Sequence, residues 1–201
     1  MNTVKTNTLN EQLPEGTLIL GIGGRGTNFL DYVQKNSPQP IRCIACDTKP
    51  EGIAYAQGKG LATLYLGKDQ DIPTTPKKAE VIVQREISFI DKTLEGAKLL
   101  VVFTALGGAT GTGVTPVIVE RAWTMGIPII AILTIPFDFE DKRRLKQAQA
   151  VVNAIKEKAT KVHVFDMDIL LREYGKLPMK EGVIEIGVFM YGTMWKTVFK
   201  D

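Results

Sequence analysis

The sequence predicts an α/β fold, a doubly wound and mostly parallel sheet with helices on both faces, Rossmann-like and ending in a long apolar helix. Three observations predict it. Short β-branched runs recur along the chain and are apolar almost throughout, as strands covered on both faces must be. Stretches of helical periodicity lie between them, and strand–helix alternation is the signature of a parallel open sheet. Two of the runs are followed directly by glycine-rich segments, residues 21–26 and 107–113, which is where such sheets place their ligand loops.

The candidate strands, in order, are Leu18–Ile22, Arg42–Cys46, Ala62–Leu66, Leu99–Thr104, Pro128–Leu133 and Val162–Phe165. A helix is expected to begin near Thr27, after the first glycine segment. Residues 76–95 place Val83, Ile87, Ile90 and Leu94 on one face of a single helix, and residues 140–158 do the same with Leu145, Ala148, Val152 and Ile155. Thr75-Pro76 and Thr115-Pro116 each read as an N-cap followed by the first helical residue. From Glu181 to Phe199 apolar residues occur nearly all round. Such a helix is covered on most sides, by the sheet edge or by a partner. The expected organisation is a flexible tail over residues 1–16 and one folded domain over 17–201.

Composition sets the class. The chain has 201 residues, 44% of them hydrophobic, and a net charge of +3 from 25 basic and 22 acidic residues, enough apolar mass for a core and too mild a charge to imply nucleic acid. The densest basic patch, Lys142-Arg143-Arg144, is flanked by Glu140 and Asp141. The first sixteen residues contain no apolar signal segment, and no apolar run is long enough to span a membrane, so a cytoplasmic protein is expected. Cys43 and Cys46 form a C-x-x-C inside a strand, where side chains three apart point to opposite faces. They are expected to be reduced packing residues rather than metal ligands, and the single histidine, His163, to be structural. No metal site and no catalytic residue is assigned.

The two glycine segments carry the functional signal. Gly21-Ile22-Gly23-Gly24-Arg25-Gly26 follows the first strand and opens a helix. Glycines let the backbone approach an anion, and the helix N-terminus offers free N–H groups and a positive dipole end. The string also fits G-x-G-x-x-G, a weak signal by itself. Gly107-Gly108-Ala109-Thr110-Gly111-Thr112-Gly113 is more specific, because it sets a run of amides beside two hydroxyls, a nest suited to a di- or triphosphate.

Gly107–Gly113 resembles the G-G-G-T-G-T-G signature of the tubulin and FtsZ family, the cytoskeletal GTPases, and is closest to its bacterial FtsZ branch. The segment 21–28, GIGGRGTN, resembles that branch's first loop, Ala45-Cys46-Asp47-Thr48 its second-strand loop, and Pro136-Phe137-Asp138-Phe139-Glu140 through Arg144 its P-F-x-F-E-x-x-x-R sugar segment. The resemblance runs from about residue 17 to 200. It implies that Gly21, Gly23, Gly24 and Asn28 line the first loop, with Asn28 near the base. Gly107, Gly108, Ala109, Thr110, Gly111, Thr112 and Gly113 would cradle the phosphates, and Glu140 and Arg144 would hold the ribose. The implied ligand is GTP or GDP, with magnesium as the accompanying cation, and the implied setting is cell division or a cytoskeletal filament.

The sequence also departs from the family pattern. Met167 stands where the family has a nucleotide-contacting Asn after the sixth strand. Val183 and Gly187 stand where its central helix carries a Phe and a guanine-reading Asp. The interval 67–76 lacks the glycine–alanine run that senses a γ-phosphate. The family's second domain, whose loop positions the attacking water, is expected to be absent, and hydrolysis by this chain is expected to be weak or nil. Two other readings stay open. One is a degenerate member that docks through its C-terminal helix on itself, on FtsZ or on another filament subunit. The other is an NAD-binding oxidoreductase in which Asp47 holds a ribose.

Overall fold

The computed structural model describes residues 13–199 except 38, 69, 175, 177 and 178. Pro178 and the side chains of Met179 and Val183 lie outside the described residues. Six strands, β1 (Thr17–Ile22), β2 (Arg42–Asp47), β3 (Ala62–Tyr65), β4 (Leu99–Ala105), β5 (Ile129–Ile135) and β6 (Lys161–Asp166), form one parallel sheet in the order β3-β2-β1-β4-β5-β6. Each predicted strand is present with its ends moved by at most two residues. The helices are α1 (Gly23–Asn36), α2 (Pro50–Gly58), α3 (Pro76–Gln84), α4 (Ile87–Leu94), α5 (Ala109–Thr124), α6 (Lys142–Lys156), α7 (Met167–Tyr174) and α8 (Met179–Phe199).

Alternation along the strands divides the core. Leu18, Leu20, Leu100, Val102, Ile129 and Ala131 face α3, α4, α5 and α6, while Ile19, Val101, Phe103, Ile130 and Ile132 face α1, α2 and α8. The strand order reverses between β1 and β4, and the crevice at their carboxyl ends is the usual ligand position of a doubly wound sheet. Cys46 belongs to the first core layer and Cys43 to the second, so the two thiols point away from each other. Burial pushes the Cys43 thiol up to about 12 and Cys46 further in the same direction.

Several local expectations are corrected. The helix after β1 begins at Gly23 rather than near Thr27. The helix after β4 begins at Ala109, so Pro116 lies inside it and Thr115 is no cap. The earlier start is possible because Gly111 and Gly113 carry no Cβ to meet the carbonyls of Ala105 and Pro76. The Thr115 hydroxyl bonds back to the Gly111 carbonyl instead of capping an N-terminus. Thr75 does cap α3, accepting from the Lys78 N–H at 3.3 Å. The single helix expected over 76–95 is two, broken at Arg85–Glu86. There the Glu86 carboxylate accepts from the Gly67 N–H at 2.8 Å. Val83, Ile90 and Leu94 stay on the core side across the break, while Ile87 is only half-buried, so apolar spacing alone does not reveal it. Glu140 precedes α6, whose N-cap is Asp141. Leu13, expected in the tail, is buried in the second core layer.

Helix α8 lies against α1 and β6. Met190, Met194 and Trp195 are buried, whereas Phe189 is 45% exposed, so the sheet side covers part of an otherwise apolar helix. His163 on β6 shares a 2.7 Å hydrogen bond with the Thr197 hydroxyl on α8; burial first, and Lys161 second, lower its pKa. No helix among the described residues is long and apolar enough to cross a membrane.

Two outcomes follow from this packing. Gly113→Ala forces a Cβ against the Pro76 carbonyl and Ala79, and should lower unfolding free energy in urea by about 1–3 kcal/mol. At pH 8 an alkylating reagent should leave both cysteines of the native protein unmodified and label both in denaturant, as read by mass spectrometry.

Candidate functional site

Helix α1 begins immediately beyond the carboxyl end of β1, and α5 after three intervening residues beyond that of β4; the two strands are neighbours at the point where the strand order reverses. Neither has a side-chain cap: Ile22 and Gly108, at the cap positions, offer none. The first-turn amides of both helices therefore lack the side-chain partner that helix starts usually have. They open on a cavity of about 300 Å³.

The glycines sort into two groups. A Cβ built on Gly24 or Gly108 would meet nothing within 4 Å, and one on Gly23 would meet nothing nearer than 3.9 Å. The space these three leave open belongs to the cavity. Gly23 and Gly107 also have φ of +72° and +103°, a region that L side chains adopt only with strain. Gly21, Gly26, Gly111 and Gly113 are different, because a Cβ on each would strike backbone. Gly21 and Gly26 meet each other, which seats α1 directly on β1.

Of the residues singled out from sequence, Gly23, Gly24, Gly107, Gly108, Ala109, Thr110, Gly111, Glu140 and Arg144 share the cavity wall. Four lie outside it. Gly21 is a packing glycine, and Gly113 sits between α5 and α3. Thr112 turns its hydroxyl to accept from the Gly107 N–H at 2.7 Å, which fixes the loop from behind. Asn28 accepts from the Tyr55 hydroxyl at 2.8 Å, further along α1.

Asp47, at the end of β2, organises the floor. Its Oδ1 accepts from the N–H of Thr48 at 2.7 Å, the N–H of Lys49 at 3.2 Å and the hydroxyl of Thr110 at 3.2 Å. Thr48 and Thr110 share a further 2.7 Å hydroxyl bond. The other carboxylate oxygen lies so close to Gly52 that no Cβ could stand there. Burial raises the Asp47 pKa, and the three hydrogen bonds and Lys49 oppose that rise. With its Oδ1 taken by three donors and the residue only 4% exposed, Asp47 serves as a capping group for the start of α2 and for Thr110.

Glu140 and Arg144 come together as expected. Arg144 Nη1 lies 3.2 Å from Glu140 Oε2, and Glu140 Oε1 accepts from the Phe137 N–H at 3.2 Å. The loop carrying Glu140 is tied to the start of α7 by the Asp138 N–H, which donates to Asp168 Oδ2 at 2.6 Å. Met167 forms part of the wall and is buried. Gly187 faces the ring of Tyr32, 3.7 Å from its would-be Cβ. Sequence reasoning missed two charged wall residues, Arg25 and Lys49. Arg25 was legible as the one charged side chain within a glycine segment; Lys49, an ordinary surface lysine in sequence, was not. Among the described residues no three His, Cys, Asp or Glu side chains are grouped to hold a metal. The two wall carboxylates are already committed, so the residues present do not fit a protein-only magnesium site.

The profile of the "Tubulin/FtsZ family, GTPase domain" matches residues 7–175. The chain is similar to the cell division protein FtsZ of Mycoplasmopsis pulmonis, 26% identical over 169 residues, covering 83% of this chain and 43% of that one. It is similar also to FtsZ 1 of Thermococcus kodakarensis, 31% identical over 173 residues, with coverage of 85% and 46%. The chain thus spans about half the length of the curated relatives it matches. Among solved structures, an empty FtsZ dimer of M. jannaschii superposes with a TM-score of 0.79 at 21% identity, covering 96% of this chain and 57% of that one. The GDP-bound CetZ1 monomer of Haloferax volcanii gives 0.74 at 16%, covering 90% and 60%; these structures establish the fold. The shared sheet, the two glycine segments at its switch point and a profile match over most of the chain lead to one assignment: the chain belongs to the tubulin/FtsZ family, through that family's GTPase domain.

Proposed function

We propose that the chain binds a guanine nucleotide, GTP or GDP, across the carboxyl ends of β1 and β4. The phosphates would lie on the amides of residues 107–111 and the ribose against Glu140 and Arg144. The observation that carries this reading is the pair of uncapped helix N-termini facing one cavity over Cβ-free backbone. Oriented N–H groups and two positive dipole ends suit a polyanion, and Lys49 and Arg144 add positive charge on the wall.

By itself this chain is proposed to turn the nucleotide over slowly or not at all. Phosphoryl transfer to water needs a group that positions the water. The carboxylates of the wall are already engaged, Asp47 with Thr48, Lys49 and Thr110, and Glu140 with Arg144 and Phe137. Magnesium, if it accompanies the nucleotide, would be held chiefly by phosphate oxygens and water. The role proposed for the whole protein is in cell division or a filament of the cytoplasm, with the exposed part of α8 around Phe189 as the surface for self, FtsZ or another filament subunit. Titration with fluorescent GTP, ATP and NAD analogues tests the ligand. Tight GTP binding supports the reading and preference for NAD overturns it. A chain that bound no nucleotide would instead be an interaction protein, a reading favoured by the non-polar Met167 in the wall.

The phosphate position has its own test. Gly108→Asp places a carboxylate in open cavity space, and together with Thr110→Ala should weaken nucleotide binding more than about tenfold, since each 1.4 kcal/mol is a factor of ten. Gly108→Asp alone should do the same with little change in urea stability, because its Cβ meets no neighbour. Unchanged affinity would put the phosphates elsewhere.

A further inference from the structure

We propose that Arg25 reads the base, donating from its guanidinium to the O6 and N7 acceptors of guanine. The inference rests on the reading that a nucleotide occupies the cavity, and it names the residue that selects the base. Arg25 is in the first turn of α1, exposed and on the cavity wall. Its Nη1 lies 4.0 Å from Sδ of Met167, a buried residue where β6 passes into α7. That contact sets the guanidinium beside the Met167 thioether. Met167 packs in the core layer of α1 and α8, whereas α5, which carries the phosphate amides, packs on the opposite face. β6 is also two strands from β4, about 10 Å across the sheet at the usual strand spacing. Arg25 therefore stands over the end of the cavity away from the phosphate amides.

The chemistry at that end favours Arg25 as the reader. Among the described residues Arg25 has no carboxylate partner, while Arg144 is paired with Glu140. Met167 offers a polarisable surface for an aromatic ring but no strong hydrogen bond. Gly187 has no side chain to offer, and it faces Tyr32. A guanidinium presents two parallel N–H donors. Guanine answers with two acceptors on one edge, O6 and N7, whereas adenine puts an amino donor where guanine has O6.

The test compares GTP, ATP and 7-deaza-GTP by calorimetric titration against the unsubstituted chain, Arg25→Ala and Arg25→Lys. The unsubstituted chain should prefer GTP over ATP by about 10- to 100-fold, the range a bidentate arginine–guanine contact supplies, and should bind 7-deaza-GTP more weakly than GTP. Arg25→Ala should bring GTP down to the level of ATP, leave ATP unchanged and abolish the 7-deaza effect. Arg25→Lys, with a point charge in place of the fork, should keep less than half of the preference on a logarithmic scale. Equal weakening of GTP and ATP in Arg25→Ala would assign Arg25 to the phosphates and overturn the proposal. So would an unchanged GTP/ATP ratio. Failure of the unsubstituted chain to bind any nucleotide would overturn the nucleotide reading of the cavity itself, a result distinguishable from the other two.

Discussion

Backbone-to-backbone contact at the ends of β1 and β4 is the constraint from which the rest of the structure follows. Gly21 and Gly26 leave no room for a Cβ between strand and helix, and Gly111 leaves none against the Ala105 carbonyl. Because these residues are bare, α1 and α5 start within a residue or a few of their strands rather than after long connections. Side chains at these positions would push both helices outward and separate the two N-termini. The cavity exists because the helix ends are held this close to the sheet, one on each side of its reversal point.

A second, polar constraint ties the neighbouring strand to the same place. Asp47 joins the end of β2, the start of α2 and the first turn of α5 through Thr48, Lys49 and Thr110. A buried carboxylate is tolerated only when it is hydrogen-bonded, and here the donors to Oδ1 come from the β2–α2 turn and from α5. Its raised pKa means that protonation favours the folded state. Stability from this group is full below the unfolded carboxylate range and falls as pH rises through the elevated value. Fixing Thr110 against Asp47 and Thr48 therefore spends some stability to hold that cavity-wall hydroxyl in one orientation.

The fold was legible because its signals are periodic. Six apolar runs separated by helical stripes leave few alternatives, and Cys43 and Cys46 fell on opposite faces as a period of two requires. Helix starts were misread for one reason in two places. Glycine and threonine look like loop in sequence, yet Gly23 to Gly26 and Ala109 to Gly113 are helical. Tertiary packing overrides weak helix propensity wherever a missing Cβ permits a closer approach. Within the site, sequence could say that the glycines mattered but not which way each one faced. Gly108 opens on the cavity and Gly113 on α3, a difference set by position around the helix. The role of Thr112 behind the loop, and of Asn28 beside Tyr55, likewise depends on rotation about an axis whose starting residue was placed too late.

The uncapped ends of α1 and α5 make the stability of this domain a property of its solution. A ligand that binds only the native state stabilises it by RT ln(1 + [L]/Kd), and amides without side-chain caps are the groups with most to gain from an anion. Under the proposed reading, the number of N–H groups an anion can reach would set how much it stabilises the domain. On the proposed reading of the cleft, buffer phosphate would compete weakly with nucleotide for the same amides.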